Sequence, residues 1–283
     1  MDKRKIIPKK VKKSNKRANG ILTATLKGDI MHLKNKKDGN FMNIIVTKDY
    51  NEMSKKAAEY FSDVIKTNPK AVLGLATGET PVGMYNCLID GYKNGELDFS
   101  GIKSVNLDEY YPISPDNDQS YRYFMNNKLF NHVNIDKSNT NVPNGEAKDV
   151  EKACGDYEAL IDSLGGIDIQ VLGIGRNGHI GFNEPDEELE LFTHLTSLTQ
   201  STIEANARFF ASEEDVPKHA LTMGIKSVFK ARKIVILASG ESKAEAVRAM
   251  LKNTISTSCP ASLLGLHNDV TLICDEAAYS LCK

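Results

Sequence analysis

Ala71-Val72-Leu73-Gly74-Leu75-Ala76, running straight into Thr77-Gly78-Glu79-Thr80-Pro81, decides the fold. The first six residues are an unbroken apolar run, the mark of a strand buried on both faces. The next five supply glycine, hydroxyls and proline, which end the strand and open a helix over about 81–94. The same alternation extends in both directions. Upstream, Asn43-Ile44-Ile45-Val46-Thr47 reads as a strand, and 51–67 reads as a helix with Met53, Ala57, Tyr60, Phe61 and Ile65 near helical spacing. Downstream, strands are predicted at 103–107, 167–173, 233–238 and 270–274, with helices near 119–130, near 149–164 and from about 241. The pattern predicts one α/β domain over 42–283, a Rossmann-like three-layer sandwich around a mostly parallel sheet. Ligands of such sheets bind outside the carboxyl ends of the strands, so polar motifs directly after strands are the candidates.

Composition narrows the class. Of 283 residues, 41% are hydrophobic and 26% charged, with 36 Lys and Arg against 37 Asp and Glu. That balance is ordinary for a globular chain and carries no general bias towards nucleic acid or an anionic membrane. No apolar stretch is long enough for a spanning helix and no secretory leader opens the chain. The five cysteines, Cys87, Cys154, Cys259, Cys274 and Cys282, are widely spaced, which argues against structural zinc and a disulfide framework and suits a cytoplasmic protein. Charge is uneven, however. Residues 1–41 hold 13 basic and 3 acidic side chains, a net of +10, and the remainder carries −11. Within 1–41 only Ile21-Leu22-Thr23-Ala24-Thr25-Leu26 could pass for a short strand. The segment reads as a disordered basic extension. A nucleic-acid arm is a second reading. The third is a true start at Met42, since Lys37-Asp38-Gly39 can be encoded by a ribosome-binding-like sequence.

Four segments after strands carry polar chemistry. Thr77, Gly78, Glu79 and Thr80 sit where a helix begins, and could offer free N–H groups and a favourable dipole to an anion. The same residues also read as a capped strand–helix turn. Asn106-Leu107-Asp108-Glu109-Tyr110 places two carboxylates after a strand. Neighbours on an extended chain point opposite ways, so only one should face a pocket as a general base; an acidic loop is the plainer reading. Gly173-Ile174-Gly175-Arg176-Asn177-Gly178-His179-Ile180-Gly181-Phe182-Asn183-Glu184-Pro185 matches G-x-G-x-x-G formally, but no helix pattern follows. It instead sets His179 among glycines with Asn177 and Glu184 close by, able to hold one ring nitrogen and free the other for proton transfer. Arg208 and Lys243 are cations; Lys243 opens a helix, where it suits a phosphate better than the dipole. Taken singly, both read as solvated charges. Metal-ligand spacing is missing. A phosphate cradle, one carboxylate base and one oriented His suit proton abstraction beside a carbonyl on a small phosphorylated molecule.

Leu75-Ala76-Thr77-Gly78-Glu79-Thr80-Pro81, Asn106-Leu107-Asp108-Glu109-Tyr110, Gly178-His179-Ile180-Gly181-Phe182-Asn183-Glu184-Pro185, Ala205-Asn206-Ala207-Arg208-Phe209-Phe210 and Gly240-Glu241-Ser242-Lys243-Ala244 together resemble the glucosamine-6-phosphate deaminases, in order, from about residue 42 to residue 280. The resemblance implies conversion of glucosamine 6-phosphate and water to fructose 6-phosphate and ammonia, without cofactor or metal. It implies Asp108 as the base acting at C2 and His179 as the group that helps open the sugar ring, with Asn177 and Glu184 orienting it. Thr77, Gly78, Glu79, Thr80, Arg208 and Lys243 would then hold the phosphate.

Two departures matter. Many members carry Asp where this chain has Asn177, whose amide carbonyl can still accept an imidazole N–H but adds no charge, which leaves stabilisation of an imidazolium mainly to Glu184. Glu79 stands where some members have glycine, so its side chain must point away from a phosphate. The alternatives are a 6-phosphogluconolactonase of the same fold, against which the Asn-Glu-Pro ending argues, and a sugar-phosphate-sensing regulatory domain, for which residues 1–41 lack a helix-turn-helix pattern. Some deaminases are hexamers activated by a phosphorylated sugar through basic residues after that ending. Here Asp186, Glu187, Glu188 and Glu190 follow it, and no Lys or Arg appears before Arg208. A monomer or small homo-oligomer is therefore expected, acting on a small molecule rather than on nucleic acid or a membrane.

Overall fold

The expected strand at 71–76 is completely buried, and the sheet is assembled around it. The computed structural model describes residues 21–27, 30–36, 42–207, 210 and 212–282. Along the chain it runs β1 (Ile21–Lys27), β2 (Ile30–Lys36), β3 (Met42–Thr47), α1 (Tyr50–Thr67), β4 (Val72–Leu75), α2 (Val82–Lys93), β5 (Lys103–Asn106), β6 (Asp108–Tyr111) and α3 (Tyr121–Lys128). It continues through β7 (Thr140–Asn141), α4 (Val150–Ser163), β8 (Ile169–Gly173), β9 (His194–Ser197), α5 (Gln200–Ala207), β10 (His219–Thr222), α6 (Ile225–Phe229), β11 (Ile234–Ala238), α7 (Ala244–Met250) and β12 (Val270–Asp275).

The main sheet has the order β1-β2-β3-β12-β11-β8-β4-β5-β7. From β3 to β7 every pairing is parallel, seven strands in all, as the alternation predicts. From β4 the chain winds outward through β5 to β7; it then returns to β8 and winds the opposite way through β11 to β12. Right-handed crossovers in opposite directions place helices on opposite faces. The reversal falls between neighbouring β4 and β8, so the loops after these two strands diverge and leave a crevice.

Local chemistry explains the elements. Asp49 caps α1 by accepting the Glu52 N–H at 2.9 Å, and Glu52 returns a bond from the Lys48 N–H at 3.0 Å. Met53, Ala57, Phe61 and Ile65 form the buried stripe of α1, while Tyr60 stays half-buried. Ile234–Ala238 is buried throughout because sheet neighbours flank it on both edges and helices cover its faces. Each fully buried Leu or Ile there contributes about 1.5–3 kcal/mol. Gly74 is needed in β4 because any side chain would collide with the buried Gln170 amide of β8.

Two features differ from the sequence reading. A second sheet, β6-β10-β9, is antiparallel, and none of its strands was anticipated. DEYY, HALT and HLTS are four-residue segments too short and too polar to show a period. The stretch read as a disordered extension contains β1 and β2, a hairpin whose second strand pairs antiparallel with β3 through Met31 to Lys34. Ile21 to Leu26, the one strand-like part of that stretch, lies in β1.

Candidate active site

The polar loops converge at the crevice beside β4 and β8. After β4, Gly78 adopts φ +87°, a left-handed conformation that glycine permits. The backbone N–H groups of Thr77, Gly78, Glu79 and Thr80 make no hydrogen bond among the described residues, so four donors remain available ahead of α2. Glu79 lines a groove together with Tyr50, Asn51 and Lys55 of α1.

Period-two geometry separates the adjacent carboxylates. Glu109 is 2% exposed and accepts three backbone N–H groups, from Tyr110 at 2.9 Å, Tyr121 at 2.7 Å and Arg122 at 2.9 Å. It serves the amino end of α3. Burial pushes its pKa up to about 7, against the pull of those bonds and of the Arg122 guanidinium. Asp108, 6% exposed, accepts no hydrogen bond among the described residues. Burial, and then repulsion from Glu109, raise its pKa to about 8. Asp108 is thus the carboxylate left free, with a proton affinity suited to base chemistry near neutral pH.

The loop after β8 brings His179 to the same place. Gly178 (φ +87°) and Gly181 (φ +59°) bend it around the imidazole, and a methyl at Gly175 would collide with the ring. A methyl at Gly181 would lie 3.7 Å from Asp108 Oδ2 and 2.9 Å from Thr222 Oγ1, so the loop backbone passes directly over the free carboxylate. Thr222 is the β10 residue paired with Asp108, and its hydroxyl accepts the Phe182 N–H at 3.1 Å. Phe182 stacks on Tyr121, centroids 6.2 Å apart, and meets Tyr110 at 6.1 Å. The small sheet and its aromatic cluster therefore fix the His loop relative to Asp108.

His179 Nδ1 lies 3.1 Å from Glu184 Oε2. Burial opposes ionisation of Glu184, but its bonds from His179, Asn177 and Thr202 prevail and hold its pKa below the usual carboxylate value. The Asn177 carbonyl could accept the imidazole N–H, but its amide is used otherwise. Its Nδ2 donates to Glu184 Oε2 at 2.6 Å, and its Oδ1 accepts the His179 backbone N–H at 3.3 Å. Asn177 and His179 thus share Glu184 Oε2, while the other oxygen of that carboxylate, Oε1, accepts the Thr202 hydroxyl at 3.0 Å. No sequence signal marked Thr202 or Thr222. Asn183 was legible only within the Asn-Glu-Pro run; its amide donates to the Ile180 and Met223 carbonyls at 2.9 and 2.8 Å.

Lys243 ends a 3-10 turn immediately before α7, and its Nζ donates to the Ile174 carbonyl at 2.8 Å. Burial, then the nearby Arg176 guanidinium, lower its pKa. Neither cation bonds a carboxylate among the described residues, so the pair is set for an anion. Arg176, one of the glycine-loop residues, was not singled out from sequence. Arg208 falls outside the described residues. The arrangement provides proton transfer at Asp108 and at His179, with anion binding by free N–H groups and Lys243. Among the described residues no His, Cys, Asp and Glu group could hold a metal, and no helix is long and apolar enough to cross a membrane.

Known proteins are similar to this chain over most of its length. A glucosamine-6-phosphate deaminase of Clostridium perfringens is 61% identical over 242 residues, spanning 86% of this chain and all of the relative. One from Thermoanaerobacter sp. is 57% identical over 240 residues, spanning 85% of this chain and 95% of the relative. A solved monomeric glucosamine-6-phosphate deaminase superposes with TM-score 0.82 at 50% identity, covering 84% of this chain and 99% of that one. A 6-phosphogluconolactonase from Thermotoga maritima shares the fold, with TM-score 0.65 at 21% identity over 82% of this chain and 98% of its own. The model of the glucosamine-6-phosphate isomerases and 6-phosphogluconolactonases matches residues 48–273, and the chain belongs to that family.

Proposed function

We propose that this protein is an enzyme that deaminates and isomerises glucosamine 6-phosphate to fructose 6-phosphate and ammonia, consuming one water. The observation that carries the reading is Asp108, a buried carboxylate with no hydrogen-bond partner among the described residues, lying beneath the loop that holds His179. In the reaction, Lys243, Arg208 and the N–H groups of residues 77–80 bind the phosphate. His179, oriented by Glu184 and Asn177, moves the proton that opens the ring and yields the aldehyde. Asp108 takes the C2 proton, forming an enolamine, and returns it to C1. Water then adds to the C2 imine and ammonia leaves. The aldehyde acidifies the C2–H bond, so positioned acid–base groups suffice for the central step.

The protein works as a cytoplasmic monomer in amino-sugar breakdown, in keeping with the monomeric deaminase it resembles and with the acids at 186–190. Purified protein should release ammonia from glucosamine 6-phosphate and form fructose 6-phosphate in equal amounts. Hydrolysis of 6-phosphogluconolactone without ammonia release would replace this reading with the lactonase one.

A further inference from the structure

The loop at 77–80 leaves its donors free, yet two buried or half-buried phenols hold it from both sides. Tyr85, in the first turn of α2 and 0% exposed, donates its hydroxyl to the Ala76 carbonyl at 2.6 Å and accepts the Ala76 N–H at 3.2 Å. It joins the residue before the loop to the helix after it. Tyr50, the first residue of α1, donates to the Glu79 carbonyl at 2.9 Å and accepts the Gly83 N–H at 2.8 Å. Each hydroxyl has one proton to give, and each spends it on a backbone carbonyl. Neither is left for the substrate. Between these anchors, the one backbone bond among the described residues within the turn runs from the Val82 N–H to the Glu79 carbonyl at 3.3 Å.

We infer that Tyr50 and Tyr85 are positioning residues that hold residues 77–80 as a preformed phosphate cradle. Without such ties, a short loop with no hydrogen bonds from its own N–H groups would sample many conformations, and the anion would have to order it on binding. Tyr85 fixes where the loop begins and Tyr50 fixes where it ends, so the N–H groups converge before ligand arrives. The inference rests on reading 77–80 as the phosphate loop of the proposed reaction.

The test is Tyr50→Phe and Tyr85→Phe, which keep the ring and remove the hydroxyl. Each should raise KM for glucosamine 6-phosphate about threefold to tenfold, as the loss of a typical hydrogen-bond pair predicts. The turnover number should change less than twofold, because Asp108 and His179 sit on other segments. The dissociation constant of inorganic phosphate, measured by calorimetry, should rise by the same factor. Tyr50 is half-buried at the surface, so its variant remains informative if Tyr85→Phe melts early. A purely structural role would lower the melting temperature and leave KM and phosphate affinity unchanged below it, and that result overturns the inference. So does a loss confined to turnover. A wild-type protein that releases no ammonia but binds phosphate more tightly than both variants sinks the proposed reaction and keeps the cradle. An active wild type whose variants bind phosphate equally well sinks the cradle alone, as does an active wild type that binds no phosphate; a wild type that neither releases ammonia nor binds phosphate sinks both.

Discussion

At the residue scale, the two neighbouring carboxylates have opposite fates, and each fate has a measurable consequence. The pKa of Asp108 is about 8, raised by burial and then by Glu109, so its basic form grows in as pH rises through that value. Accordingly kcat/KM should climb with an acidic limb near pH 8, and Glu109→Gln should move the limb to lower pH by removing a negative charge. An unmoved limb would show that Glu109 does not influence the base. Asp108→Asn should cost at least ~10²–10⁴-fold in turnover and abolish exchange of the C2 hydrogen with solvent. It should also stabilise the fold. Between its ordinary value of 3.8 and about 8, Asp108 binds more protons folded than unfolded, so wild-type stability falls as pH rises through that window. Asparagine removes that dependence, and the gain in melting temperature should grow from pH 4 to pH 8; a gain independent of pH would contradict the shift. The alternation rule already told that one carboxylate must face the pocket. Alternation alone did not say which one, and only the family resemblance pointed to Asp108, because the groups that occupy Glu109 are N–H groups of Tyr121 and Arg122, twelve and thirteen residues away. Likewise the nearness of Asn177 to His179 was visible, but not that it acts through Glu184, which depends on Thr202 folding over from α5.

At the level of elements, legibility follows burial. Strands β4, β8, β11 and β12 carry long apolar runs because both faces are covered, and such runs survive as a pattern in one dimension. The β6-β10-β9 sheet has no such pattern; Tyr110 of β6 packs against Tyr121 of α3 and Phe182 of the loop after β8, residues brought together only by the fold. The glycine loop lies between these cases. Its composition marked a tight turn, while the reason for Gly175 is the imidazole folded back against it. Gly175→Ala should therefore displace His179 and depress turnover of the closed-ring substrate more than that of an analogue locked open. Equal losses on both would mean that the loop serves only stability. The phosphate side responds differently. Lys243→Ala should erase the preference for glucosamine 6-phosphate over glucosamine, since charge-assisted bonds to phosphate are the strong kind. A preference that survives would place the phosphate away from α7.

For the whole molecule, the question is what the amino-terminal hairpin adds to a sheet that already holds the chemistry. The Clostridium perfringens relative aligns over its full 242 residues while covering 86% of this chain, so a catalytic body of that length stands without the extension. The crevice lies between β4 and β8, and three strands, β12, β11 and β8, separate β3 from β4. Removing residues 1–41 should leave kcat and KM within about twofold, because no residue placed in the active site precedes Thr77 and the nearest described anchor, Tyr50, is kept. The hairpin does have one physical task. Its second strand pairs with β3, which among the described residues is otherwise joined to β12 alone. Taking it away moves the sheet edge from β1, whose sequence ILTATLK carries two Thr and a Lys, to β3 with its apolar Ile44-Ile45-Val46 run, and a more apolar edge with unpaired N–H and C=O groups recruits other chains more readily. A chain beginning at Met42 is thus expected to be as active as the full chain but more prone to self-association as concentration rises. Initial rates test the first half, and light scattering over a concentration series tests the second. A large loss of activity would tie the extension to the active site, and unchanged association would show that the β3 edge is protected without it.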